Sequence, residues 1–284
     1  MTGALALPSS PTVAVAFGGG GARGLAHIHV IEALDEMGIR PVMLAGSSIG
    51  AIMGAAMASG MSGAEIREHS LSILGGGSAV VNRLWGLRPA TLREAMNANW
   101  RVGQFDLEPI LGAFLPPQVP ARFEALGLPL SIHVTDYYGQ CEKAVTEGAL
   151  LPALAASAAL PALFRPVMIG GRVMIDGGFF NPIPYEHLLA RADIVIGVDV
   201  VGAPEGDGTH MPSRMDSLFG ASQLMMQAVI SMKLKLGPPH ILLRPAVGRF
   251  RVLDFLKARE VLDATAPVKD ELKRALEREM RQRS

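Results

Sequence analysis

Five consecutive apolar residues, Val13–Phe17, end at a run of glycines. Small and β-branched side chains with no polar alternation predict a strand buried on both faces. Leu25, Ile28, Ile31, Ala33, Leu34 and Met37 recur at helical spacing, and Gly38 closes that segment as a C-terminal glycine should. Pro41–Ala45 predicts a second buried strand, and Ala51–Ala58 a helix of small residues able to lie close to a sheet. Strand, helix, strand, helix is the pattern of a parallel sheet with crossover helices.

Further along, Ala64–Leu74 and Leu107–Phe114 predict helices, and Leu128–Thr135 and Glu142–Thr146 predict strands. Ala149–Ala159 reads as a helix bounded by Pro161, and Val173–Ile175 as a short strand running into Asp176. Ile194–Val200 and His240–Leu243 read as strands, and Met215–Leu236, Phe255–Thr265 and Val268–Arg281 as helices. Gly75–Pro89, which carries Trp85, and Gly202–Ser213 read as loops. With no internal repeat or linker, we expect residues 1–284 to form a single domain. Its core motifs lie in about 13–200, and residues 201–284 complete it.

Composition supports a globular protein. Of 284 residues, 49% are hydrophobic and 18% charged, enough for a sizeable core and against disorder. With 26 basic and 26 acidic side chains there is no basic footprint for nucleic acid. One cysteine, Cys141, cannot make an internal disulfide, and it reads as a buried, inert thiol. The first 22 residues carry no charge and are interrupted by Gly18–Gly21, so no signal peptide is expected. Pro41–Ala64 is also uncharged, but Gly46, Ser47, Ser48 and Gly50 make it a strand, turn and helix rather than a membrane span. The expected location is cytoplasmic, with peripheral membrane contact through apolar residues near Trp85 and Leu87. Oligomeric state is not readable.

Three segments carry candidate chemistry. Gly18–Gly24 reads G-G-G-G-A-R-G between a strand and a helix, so Gly19, Gly21 and Gly24 satisfy G-x-G-x-x-G. Such a loop brings backbone N–H groups to a ligand, either a dinucleotide pyrophosphate or an oxyanion. The dinucleotide reading needs an acidic residue after the second strand, where Ala45 and Gly46 stand. No lysine precedes Lys143, so a Walker-type loop is excluded. Gly46–Gly50 reads G-S-S-I-G, a nucleophile elbow with Ser48 at its centre, or a turn in which Ser48 only caps the next helix. Asp176, followed by Gly177 and Gly178, reads equally as a carboxylate held at a strand end or as a turn dipeptide.

Together these segments resemble the patatin-like phospholipase family. The resemblance rests on Gly19–Gly24, Gly46–Gly50 and Asp176–Gly178, with Ala156–Pro161, Phe164, Pro166 and Asn181–Pro184 agreeing. It covers roughly Val13 to Val200. Ser47 stands where the family frequently has threonine. The resemblance implies a mostly parallel central sheet flanked by helices in a three-layer architecture. It also implies lipid acyl hydrolysis by a Ser–Asp dyad, with Ser48 as nucleophile and Asp176 as base. An oxyanion hole would come from the loop Gly19, Gly20, Gly21, Ala22, Arg23 and Gly24. Gly46, Ser47, Ile49 and Gly50 would form the elbow. No metal or cofactor is expected, and the partner is a lipid or other acyl ester.

At its ordinary pKa of ~3.9 an aspartate is a poor base at neutral pH, so burial should raise Asp176. Arg23 would meet a lipid phosphate or fix its own loop by a salt bridge. Met211, Met215, Met225, Met226 and Met232 would line an acyl pocket or pack in the core. His27 and His29 lack the company of a metal cluster. The rivals are a Ser-His-Asp triad using His187, His210 or His240, a dinucleotide-binding oxidoreductase, and a non-catalytic binding protein on the same fold.

Overall fold

The computed structural model describes residues 10–74, 105–206, 208–209 and 211–283. Among them the order is β1 (Val13–Phe17), a 3-10 turn (Gly21–Ala26), α1 (His27–Glu36), β2 (Met43–Ser47), α2 (Ile49–Ala58), α3 (Gly63–Leu74) and α4 (Leu107–Phe114). Next come β3 (Leu130–Asp136), β4 (Cys141–Val145), α5 (Leu150–Ser157), β5 (Val167–Ile169), β6 (Arg172–Asp176) and β7 (Ile194–Val198). The chain ends with α6 (Arg214–Leu236), β8 (Ile241–Leu243), α7 (Ala258–Thr265) and α8 (Val268–Arg283). Trp85 and Leu87 of the expected membrane contact, and His210, lie outside the described residues.

The strands make one sheet in the order β5-β6-β3-β2-β1-β7-β8, with β4 paired to β3. The stretch from β3 to β8 is parallel, and β4, β5 and β6 extend it antiparallel. Its centre is apolar on both faces. In β1, Val13, Val15 and Phe17 enter one core cluster with α1 and α2, while Ala14 and Ala16 enter the other with Ile183, Tyr185 and Ile230 of α6. The architecture is therefore the expected α/β sheet between two covering layers.

Register positions the site. Strand β4 pairs with residues 132–136 of β3, so β2 and β6 must share the opposite edge. There β2 comes up parallel and ends with Ser47 beside His133, while β6 comes down antiparallel and ends with Asp176 beside Val134. Two chain segments about 130 residues apart in sequence thus meet end to end on one strand. The residue after β2 is Ser48.

Some elements differ from the sequence reading. The first helical segment begins as a 3-10 turn, and β5 was not anticipated. Cys141 is exposed rather than buried, because it opens β4, which lies to one side of β3 and has no buried residue.

Candidate active site

Ser48 sits between β2 and α2 with φ 54° and ψ −127°, a strained conformation for a residue with a side chain. The flanking glycines make the turn possible. A Cβ on Gly46 would lie 2.6 Å from the Ala51 nitrogen, and one on Gly50 would lie 2.2 Å from the Phe17 oxygen. The Ser48 side chain does not cap α2. Its Oγ donates instead to Asp176 Oδ2 at 2.6 Å, so the helix-cap reading of this turn does not hold.

Asp176 is buried, with its Oδ1 accepting from Gly178 N–H at 2.8 Å. Its backbone is tied on both sides: its N–H donates to Ala159 O at 3.1 Å, and its carbonyl accepts from Thr135 Oγ1 at 2.9 Å. Burial raises the carboxyl to about 6, against the hydrogen bonds from Ser48 and Gly178, which lower it. No basic side chain contributes.

Two supports had no role assigned from the sequence. Ser157 Oγ accepts from Ser48 N–H at 2.8 Å and donates to His133 O at 2.7 Å, bridging the elbow to β3. Successive carbonyls of the Asn181–Pro182 segment hold the other parts. Asn181 O accepts from Ser47 Oγ at 2.6 Å, and Pro182 O accepts from Gly19 N–H at 3.0 Å. The segment thereby fixes the elbow and the glycine loop to each other.

The glycine loop lies alongside. Its Gly19 and Ala22 N–H groups are engaged, the latter by Val252 O at 2.8 Å. Among the described residues, Gly20 and Gly21 N–H have no protein partner, and both residues line the cavity beside Ser48. Gly24 packs on Ile49. Arg23 is buried, with hydrogen bonds from its guanidinium to the Phe250 and Val201 carbonyls. It fixes its loop, as one reading held, but through carbonyls rather than a carboxylate, and it is not free for a phosphate. His27, lowered by burial to about 4, is neutral and donates Nε2–H to Gly18 O at 2.9 Å.

Ser48 and Asp176 open into a cavity of about 730 Å³, lined by apolar side chains including Ile52, Leu107, Ile110, Phe114, Leu160 and Phe219. Its size suits a small-molecule or acyl-chain site. Of the five methionines singled out, Met226 reaches it. Met211, Met215, Met225 and Met232 are exposed, so neither sequence reading describes them.

The histidines gather elsewhere. Among the described residues none bonds to Ser48 or Asp176. His240 Nδ1 accepts from Val195 N–H at 3.0 Å. His187 Nε2 lies 3.2 Å from both Glu142 oxygens, and His133 Nδ1 contacts the same carboxylate. His133, Glu142 and His187 converge closely enough to hold a metal. However, Asn181 Nδ2 also donates to Glu142 Oε1 at 2.7 Å, so the group is already joined by its own hydrogen bonds. Separations of 9 and 45 residues give no sequence signal for it.

Comparison with known proteins agrees with the motifs. The sequence model of the patatin-like phospholipase family matches residues 15–189. An uncharacterised NTE family protein of Mycobacterium tuberculosis is 35% identical over 199 residues, covering 70% of this chain and 51% of that protein. A lysophospholipase of Yarrowia lipolytica is 27% identical over 288 residues, covering 89% of this chain and 19% of the relative. The chain thus spans about half the length of the first relative and about a fifth of the second. Among solved structures, VipD from Legionella pneumophila aligns at a TM-score of 0.49 with 16% identity, covering 93% of this chain and 67% of that one.

Proposed function

The chain belongs to the patatin-like phospholipase family, and we propose that it is a serine lipid acyl hydrolase working through a Ser48–Asp176 dyad. The observation that carries the proposal is the 2.6 Å hydrogen bond from Ser48 Oγ to a buried carboxylate beside an apolar cavity. We treat the whole chain as one domain, since β8 extends the sheet on β7 and α6 lines the cavity.

Asp176 Oδ2 takes the proton as Ser48 Oγ attacks the ester carbonyl. A base near pKa 6 is mostly ionised at neutral pH and still strong enough to accept that proton. The negative charge on the tetrahedral oxygen meets the Gly20 and Gly21 N–H groups, and one such donor is typically worth ~3–4 kcal/mol. This narrows the oxyanion set from the whole Gly19–Gly24 loop. Collapse expels the alcohol, which takes the proton from Asp176. Asp176 then removes a proton from water as it attacks the acyl-enzyme, and returns that proton to Ser48 Oγ as the bond to Ser48 breaks and the carboxylic acid leaves. Ser157, Asn181 and Pro182 hold the parts in place without touching substrate.

The apolar lining favours an acyl chain over a polar substrate. The lysophospholipase relative makes a phospholipid or lysophospholipid the first class to assay. The triad rival loses support because His187 and His240 are occupied elsewhere. The dinucleotide rival loses support because β2 runs directly into the elbow. Labelling with a fluorophosphonate, followed by peptide mapping and a series of acyl esters of graded length, tests the proposal. The label is expected on Ser48, with hydrolysis lost in Ser48→Ala. Hydrolysis near wild type in that folded variant overturns the dyad.

A further inference from the structure

We propose that the outward face of α6, together with the neighbouring Leu253–Leu256 loop, is the surface by which this protein docks on a membrane containing anionic lipid. The proposal rests on the acyl-hydrolase reading only for why a lipid surface is met at this place.

The outward face of α6 is apolar as well as the inward one, where Ile230 packs in the core. A helix on a protein surface ordinarily turns apolar residues inward and charges outward. Here Gln223 is buried, and Lys233 points inward to the Asn181 side chain and the Ile183 carbonyl. Outward stand Met215, Leu218, Met225, Met232 and Leu236, spaced at three, four and seven residues. Met225 is 68% exposed and Leu236 87%. From Ser217 to Met232 the helix carries no charge at all. Contiguous exposed apolar surface of this kind marks an interaction site, and methionine adapts to a fluid partner.

The face continues into the cavity. Phe219, Ser222 and Met226 of α6 and Leu253 of the loop line the chamber that holds Ser48. Arg251 reaches Asp216 at 3.6 Å and so brings the loop against the start of α6. In that loop Leu256 is 66% exposed.

Charge selects the partner. With Lys233 turned inward, Met211–Leu236 and Arg249–Lys257 still carry five basic residues, Arg214, Lys235, Arg249, Arg251 and Lys257, against Asp216 and Asp254. The whole chain is balanced at 26 and 26. An apolar strip flanked by basic groups is the pattern of an interfacial surface on anionic lipid. A second copy pairing through this face would set like-charged flanks against each other. A phosphate-bearing surface meets those flanks with the opposite charge.

Vesicle co-sedimentation tests the proposal, using Ser48→Ala protein so that no lipid is consumed. The protein should sediment with phosphatidylcholine vesicles containing a quarter phosphatidylglycerol, and about tenfold more weakly with phosphatidylcholine alone. In the same background, Leu218→Glu with Met225→Glu should weaken binding to the mixed vesicles by about tenfold or more. Arg249→Gln with Lys257→Gln should abolish the preference for the anionic vesicles. In the active protein both pairs should leave hydrolysis of a short soluble ester within about twofold, since none of the four residues lines the cavity. Wild-type sedimentation of the Leu218→Glu/Met225→Glu protein overturns the assignment. A dimer in sedimentation velocity that this pair splits, with vesicle binding unchanged, also overturns it and gives the face to a second copy. Vesicle binding that depends on these residues, in a protein without ester hydrolysis, supports the docking surface and counts against the hydrolase reading instead.

Discussion

Asp176 and Glu142 stand on opposite edges of β3, one register apart. Asp176 lies beside Val134 and Glu142 beside Thr135. Both are largely withdrawn from water, and for both burial pushes the carboxyl pKa upward. The outcomes are opposite. Asp176 meets only a hydroxyl and a backbone N–H, and it stays raised at about 6. Glu142 meets two imidazoles and the Asn181 amide, which overcome burial and carry it well below the usual carboxylate range. Burial of His133 lowers that imidazole, whereas the Glu142 carboxylate holds the His187 imidazole up. What separates a candidate base from a strut is the company of the carboxylate, not its depth.

Substitution should break the pair most sharply. Asp176→Asn keeps the shape but accepts no proton, so ester turnover should fall at least about a thousandfold, or ~4 kcal/mol of barrier. Steady-state assays on a soluble ester measure this. Glu142→Gln should keep turnover within about tenfold, because Glu142 bonds neither Ser48 nor Asp176 and reaches the elbow only through other residues, His133 and Ser157 on one side and Asn181 on the other. It should instead destabilise the fold by about 2 kcal/mol, since it weakens bonds to buried His133 and to Asn181. Urea unfolding reads that loss. Equal loss of turnover in the two folded variants would erase the distinction.

The pH profile sharpens the comparison. In the proposed dyad only ionised Asp176 works as the base, so kcat/KM should be half its plateau near pH 6 and fall about tenfold per unit below that. A midpoint near the ordinary value for aspartate would mean that burial does not govern this group.

Stability should move the other way. The folded carboxyl titrates at about 6 and the unfolded one at 3.8. Between these values the folded state holds a proton that the unfolded state has released, so stability falls as pH rises through the window. The loss is complete above the folded pKa and amounts to about 3 kcal/mol. Asp176→Asn carries no such charge. It should melt higher than wild type at pH 8 and close to it at pH 4, a gain in stability from a change that removes activity.

The two carboxylates were not equally readable. The Ser48 turn announces itself through neighbours that the backbone demands: Gly46 and Gly50 cannot bear a side chain where Ala51 and Phe17 press on them. Asp176 reads equally as a strand-end carboxylate or a turn, and only the family resemblance gives it a role. Val13–Phe17 and Ile194–Val198 were readable because both their faces are buried. Glu142 lies in an alternating edge strand, and its partners come from β3 and from the turn around His187, so no local pattern marks it. The sequence likewise singled out the α6 methionines by their adaptable side chains but could not say which of them meet protein, and Met225 turned out to face solvent. The head-on meeting of β2 and β6 depends on pairing to β3, which neither segment encodes alone.

The smallest effect concerns the histidines. A Ser-His-Asp triad needs an imidazole between nucleophile and acid, and its loss there is as severe as loss of the serine. Here Asp176 bonds Ser48 directly, leaving no place for one. His187 is bound to Glu142, and His240 accepts from Val195 N–H on the outer part of the sheet. Replacing His187, His210 and His240 singly by glutamine should therefore leave turnover within about tenfold, or ~1.4 kcal/mol of barrier. His187→Gln removes one of the two imidazoles holding Glu142 down, so its effect should appear in stability rather than in the pH midpoint of catalysis. A shift of that midpoint, or a loss matching Ser48→Ala in a folded histidine variant, would transfer the proton from Asp176 to an imidazole and make the two carboxylates alike.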